Sequence, residues 1–215
     1  MEMSSFHGFI LLFLYSWTLS NAARVPLTGN DWFITDNKTY SAHGQVPGTI
    51  HTILLAAKQI PEPYWGYNDV NLRPLIHSTW TFSKTFTLTD DFLSLTQFAL
   101  QFDQIDTVAK ITLNGCFLGQ TNSMFLAYTF DVPRSCLQST NTIQIDFQSP
   151  VTYALNQAKA YNGSVPPDCP PDVQHGECYI QFIRKEPCSF SWNWVRITIV
   201  SLSKSLNHCD DIYLI

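Results

Sequence analysis

Short runs in which apolar and polar residues alternate recur along this chain, and that period decides what it can fold into. Trp80, Phe82, Phe86 and Leu88 alternate with polar residues. Phe98, Leu100 and Phe102 repeat the pattern, and Ala109, Ile111 and Leu113 carry it up to Asn114-Gly115. Successive side chains of a strand point to opposite faces, so alternation buries one face and wets the other. Asn-Gly is the pair that a two-residue hairpin turn favours, and Cys116-Phe117-Leu118 returns from it. Tyr128, Phe130 and Val132, then Ile143, Ile145 and Phe147, then Val195, Ile197 and Ile199 supply further strands. Asp31-Trp32-Phe33-Ile34 supplies an early one. Short strands at this spacing predict an all-β, antiparallel sandwich.

Only one stretch has helical spacing. Ile50, Ile53, Leu54 and Ala57 fall at i, i+3, i+4 and i+7, with Thr49 as the cap and Pro61 as the stop. This predicts one short helix lying on the strands. Asp36 to Gly44 is polar and reads as a surface loop. Residues 61–79 read as an aromatic loop, and 156–178 is the longest irregular piece.

At 215 residues, 45% apolar and 13% charged, the chain can bury a core. Its net charge is −5 and its Lys and Arg are scattered, which excludes a nucleic-acid or anionic-membrane surface. Residues 1–23 read as a signal peptide: an apolar run from Phe9 to Tyr15, then small residues at Ser20-Asn21-Ala22. A short N-terminal anchor is the alternative. Asn37-Lys38-Thr39 and Asn162-Gly163-Ser164 are glycosylation acceptors, which agrees with a secretory route. In that compartment the six cysteines are free to form disulfides. Cys169 and Cys178 bracket a small loop and read as one, pinning the irregular segment; a metal site with His175 lacks a fourth ligand. How Cys116, Cys136, Cys188 and Cys209 pair stays open at this level.

Near the end, Arg184-Lys185-Glu186 leads into Trp192-Asn193-Trp194. Aromatic faces beside a polar amide suit a sugar: an apolar wall with a few placed hydrogen-bonding groups. The same spacing also puts both indoles on one face of a strand, where they would be core. Glycoside hydrolysis needs two carboxyl groups. After the leader the glutamates are Glu62, Glu177 and Glu186 alone, and Asp103 with Asp106, and Asp168 with Asp172, are among the aspartates paired in sequence. Asp103 to Asp106 sits between strands and reads as a turn. No catalytic residue is assigned from them, and the sequence calls for no cofactor or metal.

Several ordered motifs resemble a known family. They are Val46-Pro47-Gly48-Thr49-Ile50-His51, Tyr67-Asn68-Asp69-Val70-Asn71-Leu72, Trp80-Thr81-Phe82-Ser83-Lys84 and Asp106-Thr107-Val108-Ala109-Lys110-Ile111. Val165-Pro166-Pro167-Asp168-Cys169 through Cys178, and Arg184 to Trp194, complete them. From about Trp32 to Trp194 the chain resembles the N-terminal domain of the lysosomal β-mannosidases of glycoside hydrolase family two. The resemblance implies a jelly-roll-like, galactose-binding-like sandwich over residues 24–200, with 201–215 a divergent tail. It implies hydrolysis of terminal, non-reducing β-mannose in oligosaccharides with retention, and a lysosomal or secreted location. Both catalytic glutamates would lie in a (β/α)8 barrel, the domain's natural intramolecular partner, which is not in this sequence. The chain on its own is therefore expected to be inactive. It also implies that Trp192, Asn193 and Trp194 line the mannose pocket and that Cys169 pairs with Cys178. Asn193 stands where the family has Asp, and Trp194 runs straight into Val195-Arg196-Ile197 where the family has Gly-Pro and a further loop. A non-catalytic secreted carbohydrate-binding module is the alternative reading.

Overall fold

The computed structural model describes residues 23–166, 178–186, 201–202 and 212–215. The expected leader, the strand through Val195 and the Trp192–Trp194 segment lie outside the described residues. The strands are β1 (Val25–Pro26), β2 (Gly29–Thr35), β3 (Ser41–Val46), β4 (Gly48–Thr49), β5 (Trp80–Thr87), β6 (Ala99–Phe102) and β7 (Ile105–Asp106). They continue with β8 (Ala109–Leu113), β9 (Cys116–Thr121), β10 (Tyr128–Asp131), β11 (Thr140–Phe147), β12 (Ser201–Leu202) and β13 (Ile212–Leu214). The helices are α1 (Ile50–Ala56), α2 (Asn68–Asn71), α3 (Pro74–His77), α4 (Asp90–Leu93) and α5 (Pro150–Ala160).

Two antiparallel sheets make the expected sandwich. One runs β3-β2-β5-β11-β8-β9, the other β1-β13-β6-β10, and β4-β12-β7 form a small third sheet. Register turns the sequence alternation into a core. Ile34 pairs with Phe82, Phe82 with Ile145 and Ile145 with Ile111, a row across four strands that is wholly buried. On the other sheet Leu100 lies between Leu214 and Phe130. Both rows belong to one contiguous apolar cluster. Two buried tryptophans enter it with their N–H groups satisfied: Trp32 Nε1 donates to the Leu27 carbonyl and Trp80 Nε1 to the Leu75 carbonyl, each at 2.8 Å. Phe82 and Phe147 meet edge to face at 5.2 Å. Lys84 sits on the inward face of β5, yet its ammonium reaches the Thr28 carbonyl and Asp31 Oδ1. That Lys84 hydrogen bond, before all else, holds the Asp31 carboxyl below the ordinary carboxylate range.

The Asn114-Gly115 turn forms as expected, with both residues at positive φ (51° and 82°). The side chain of Asn114 then does more than turn the chain. Its amide donates to the Cys136 carbonyl and to Asn141 Oδ1, and its oxygen accepts from the Thr142 amide. A Cys116–Cys136 disulfide closes the same corner, a pairing the sequence left open.

Three expectations need correction. The polar loop is shorter than Asp36 to Gly44, because β3 starts at Ser41. As an edge strand β3 buries only Ala42 and Val46, so its apolar signal is thin. Gly44 fits there because a Cβ would collide with Ile53 of α1. Helix α1 has its Thr49 cap, with Thr52 returning the bond, but it ends at Ala56 with Lys58 in the left-handed region, before Pro61 is reached. It is also not the one helix: α2 and α3 fall inside the expected loop at 61–79, and α5 runs through the start of the expected irregular piece, to Ala160. α5 is longer, started by Ser149 as cap and Pro150 in its first turn. Its buried face is Pro150, Val151 and Ala154, too sparse to show a helical period. Within the expected tail, β13 takes an interior place between β1 and β6.

Candidate functional site

The described chain leads up to the expected sugar-contacting segment and stops at Glu186. Trp192, Asn193 and Trp194 lie outside the described residues, as do Cys169, His175, Glu177, Asp168 and Asp172. What the structure describes is how the approach is held. A turn at Ile180–Phe182 packs against α5, with the Phe182 and Tyr161 rings 5.7 Å apart. Ile183 joins a small second apolar cluster with Ile76, Val108, Val151 and Ala154. Ser149 Oγ ties α5 to the Ile76 carbonyl at 2.7 Å. Gln181 Nε2 donates to the Val165 carbonyl.

Residues 184–186 then lie along the 123–125 loop. Ser123 and Arg184 form a parallel bridge, the Met124 amide donates to the Arg184 carbonyl at 2.9 Å, and the Glu186 amide meets Met124 Sδ at 3.0 Å. The Arg184 guanidinium lies 5.5 Å from the centre of the Phe125 ring. Lys185 turns inward: its fully buried ammonium pairs with Asp106 Oδ2, and the Thr107 hydroxyl donates to Asp106 Oδ1. Asp106 is thus more than a turn residue. With both oxygens engaged inside the protein, it is not free to act as a catalytic acid or nucleophile. The Arg184-Lys185 pair stood out in the sequence, but nothing there showed that the two cations face opposite ways.

Cys178 is disulfide-bonded, and so are Cys116 and Cys136; the Cys169 expected as the partner of Cys178 is not described. Asn37 is exposed in a tight turn at φ 58°, and Asn162 is exposed just beyond α5. Beside Asn37 the carboxylate of Asp36 is buried. Burial opposes its charge, but amide donations from Tyr40, Lys38 and Thr39 outweigh it and hold the carboxyl below its usual range. His51, in the first turn of α1, is buried with neither ring nitrogen hydrogen-bonded, and burial pushes its pKa down to about 4. A groove of about 610 Å³ opens elsewhere, along residues 96–99, 131–134 and Ile215. Among the described residues no cluster of His, Cys, Asp or Glu could hold a metal ion, and no helix is long and apolar enough to cross a membrane.

The two facing antiparallel sheets, with aromatic residues filling the space between them, define a galactose-binding-like sandwich domain. The family model for the glycosyl hydrolase 2 galactose-binding domain-like domain matches residues 17–202, and the chain belongs to that family, as an N-terminal domain of the β-mannosidase kind. It is 38% identical over 176 residues to a β-mannosidase of Bos taurus, covering 81% of this chain and 20% of that protein. It is 40% identical over 165 residues to a β-mannosidase of Rattus norvegicus, covering 76% and 19%. The solved β-D-mannosidase of Dictyoglomus thermophilum superposes with a TM-score of 0.74 at 28% identity, covering 89% of this chain and 22% of that one. The chain therefore spans about a fifth of the length of the relatives it matches.

Proposed function

We propose that this domain forms one wall of the substrate pocket of a retaining β-mannosidase that removes terminal, non-reducing β-mannose from oligosaccharides in glycoprotein breakdown. The observation that carries the reading is similarity to β-mannosidases across four-fifths of the chain. The anchoring of residues 184–186 against Asp106 and Met124 supports it, since it fixes the chain just ahead of Trp192, Asn193 and Trp194. In this reading the two indoles pack on the C–H faces of the mannose ring and Asn193 hydrogen-bonds its hydroxyls. The bond-breaking carboxyls belong to a catalytic barrel outside this sequence, and this domain contributes binding alone. Delivery is lysosomal or secreted behind a signal peptide over residues 1–23, with Asn37 and Asn162 glycosylated and Cys169 joined to Cys178.

An amide offers one acceptor and one donor group where a carboxylate offers two acceptors. A hydrogen bond to a charged group is worth roughly 1.5–3 kcal/mol. Asn193→Asp is therefore expected to tighten mannose binding by one or two powers of ten, and Trp192→Ala or Trp194→Ala to abolish it, in calorimetric titrations of the full-length enzyme with mannose. Unchanged affinity in all three variants would sink the reading.

A further inference from the structure

We propose that Asp106 and Lys185 are positioning residues: their buried ion pair sets the direction of the proposed pocket wall, and is kept for orientation rather than for stability. This rests on the pocket-wall reading above and names the groups that aim the wall. The strand register adds what the ion pair alone does not show. Lys185 reaches Asp106 Oδ2 from ahead of the Trp192–Trp194 segment, and beyond that segment Ser201 pairs with Asp106 again, main chain to main chain, across β12 and β7. On its other side Ser201 pairs with Thr49, so β12 is the middle strand of its small sheet. Residues 187–200, which carry Trp192, Asn193 and Trp194, therefore leave from and return to one residue of the domain.

Asp106 is itself held from behind. The Thr107 hydroxyl donates to Asp106 Oδ1, the Thr121 hydroxyl to the Thr107 carbonyl at 2.8 Å, and the Ala109 amide to Thr121 Oγ1 at 3.1 Å. One residue further on, the Gln148 amide donates to the Val108 carbonyl at 2.9 Å. Asp106, Thr107 and Thr121 are all buried. Thr121 ends β9, and the chain runs on from it into the 123–125 loop that lies along residues 184–186. The carboxylate is thus a fixed post on the six-stranded sheet, and Lys185 is tied to that post. Stability does not call for such a pair. Two charges taken out of water lose hydration that their attraction hardly repays, and apolar side chains of the same volume often fill such a place at no loss. An apolar pair has no preferred angle, whereas an ammonium and a carboxylate bond along a narrow line. What the pair supplies is direction. Direction matters ahead of a sugar contact, where a misplacement of about 1 Å can cost about a hundredfold.

The test uses the full-length enzyme, with an aryl β-mannoside for turnover, mannose for calorimetry and urea for stability. Lys185→Met combined with Asp106→Leu is expected to unfold close to the wild type, yet to bind mannose about tenfold more weakly, with KM raised to match and kcat nearly unchanged. In that background Asn193→Asp should lose its gain in affinity, because the new carboxylate no longer meets the sugar. Ser201→Pro disturbs the other end and leaves the ion pair in place, since proline has no N–H to offer in the middle of a sheet; the same weakening is expected. A double variant that binds mannose as the wild type does would overturn the proposal. So would one that unfolds as readily as Lys185→Ala, a fall in kcat with KM unchanged, or a Ser201→Pro enzyme of undiminished affinity. If Trp192→Ala and Trp194→Ala leave mannose binding intact, the pocket-wall reading fails and the positioning role with it. If they abolish binding while the double variant binds normally, the positioning role alone fails.

Discussion

The sandwich core and the seam at residues 180–186 are held by different physics. In the core, Ile34, Phe82, Ile145 and Ile111 line up across four strands, and each adds apolar surface removed from water. In the seam the apolar part is small, and the orientation comes from one buried ion pair, one main-chain bridge and an amide on a thioether sulfur. A core of the first kind tolerates exchange of one apolar shape for another. A seam of the second kind works only while both members of each polar pair are present.

Truncation at either place should cost a similar amount, about 3–5 kcal/mol for Phe82→Ala from the lost burial and cavity, and about 3–5 kcal/mol for Lys185→Ala from the stranded Asp106 charge. Urea unfolding measures both. The contrast lies in rescue. Pairing Lys185→Met with Asp106→Leu should recover most of the seam's loss, because the double change removes the unpaired charge along with the pair. A double variant as unstable as Lys185→Ala would show that the seam depends on packing after all.

The corner of the sheet at Asn114 gives a covalent version of the comparison. Replacing Cys116 and Cys136 together by Ser should lower stability by about 3 kcal/mol, from the freed loop entropy of the unfolded chain, with the melting curve otherwise still cooperative. A fall below 1 kcal/mol would show that the Asn114 and Asn141 hydrogen bonds close this corner unaided.

A pH scan sharpens the contrast from the core side. His51 is neutral and buried, with a folded pKa of about 4 against an unfolded value of 6.5. The unfolded chain therefore takes up its proton first as pH falls. Stability is complete above pH 6.5 and drains away down to about 4, by on the order of 3 kcal/mol. Asp36, whose folded pKa is lowered, gives stability that is present above 3.8 and lost below it, a separate window. His51→Phe should flatten the pH 6.5–4 slope in unfolding experiments, and a slope that survives would assign it to other groups.

What could be read ahead of the structure follows the same division. Alternation along Trp80–Leu88 and Ile143–Phe147 gave strands because one face of each meets a shared core. Asn114-Gly115 gave its hairpin because positive φ favours those residues. The edge strand β3 was missed because it buries only two side chains, and α5 because its buried face is small. Of the proposed pocket wall, the basic pair ahead of the tryptophans was legible as a pair. Which cation is buried was not, since that depends on Asp106, far away in the chain.

The place of Ile212–Leu214 also sets an order of events. This strand lies between Val25–Pro26 and Ala99–Phe102, so the first described strand finds its sheet partner only at Tyr213 and Leu214, far along the chain. Closing so long a loop is entropically slow and gains nothing until the far end arrives. During synthesis the six-stranded sheet, complete by Phe147, can assemble while the smaller sheet waits, with the Phe102 face of the core uncovered until Leu214 has left the ribosome.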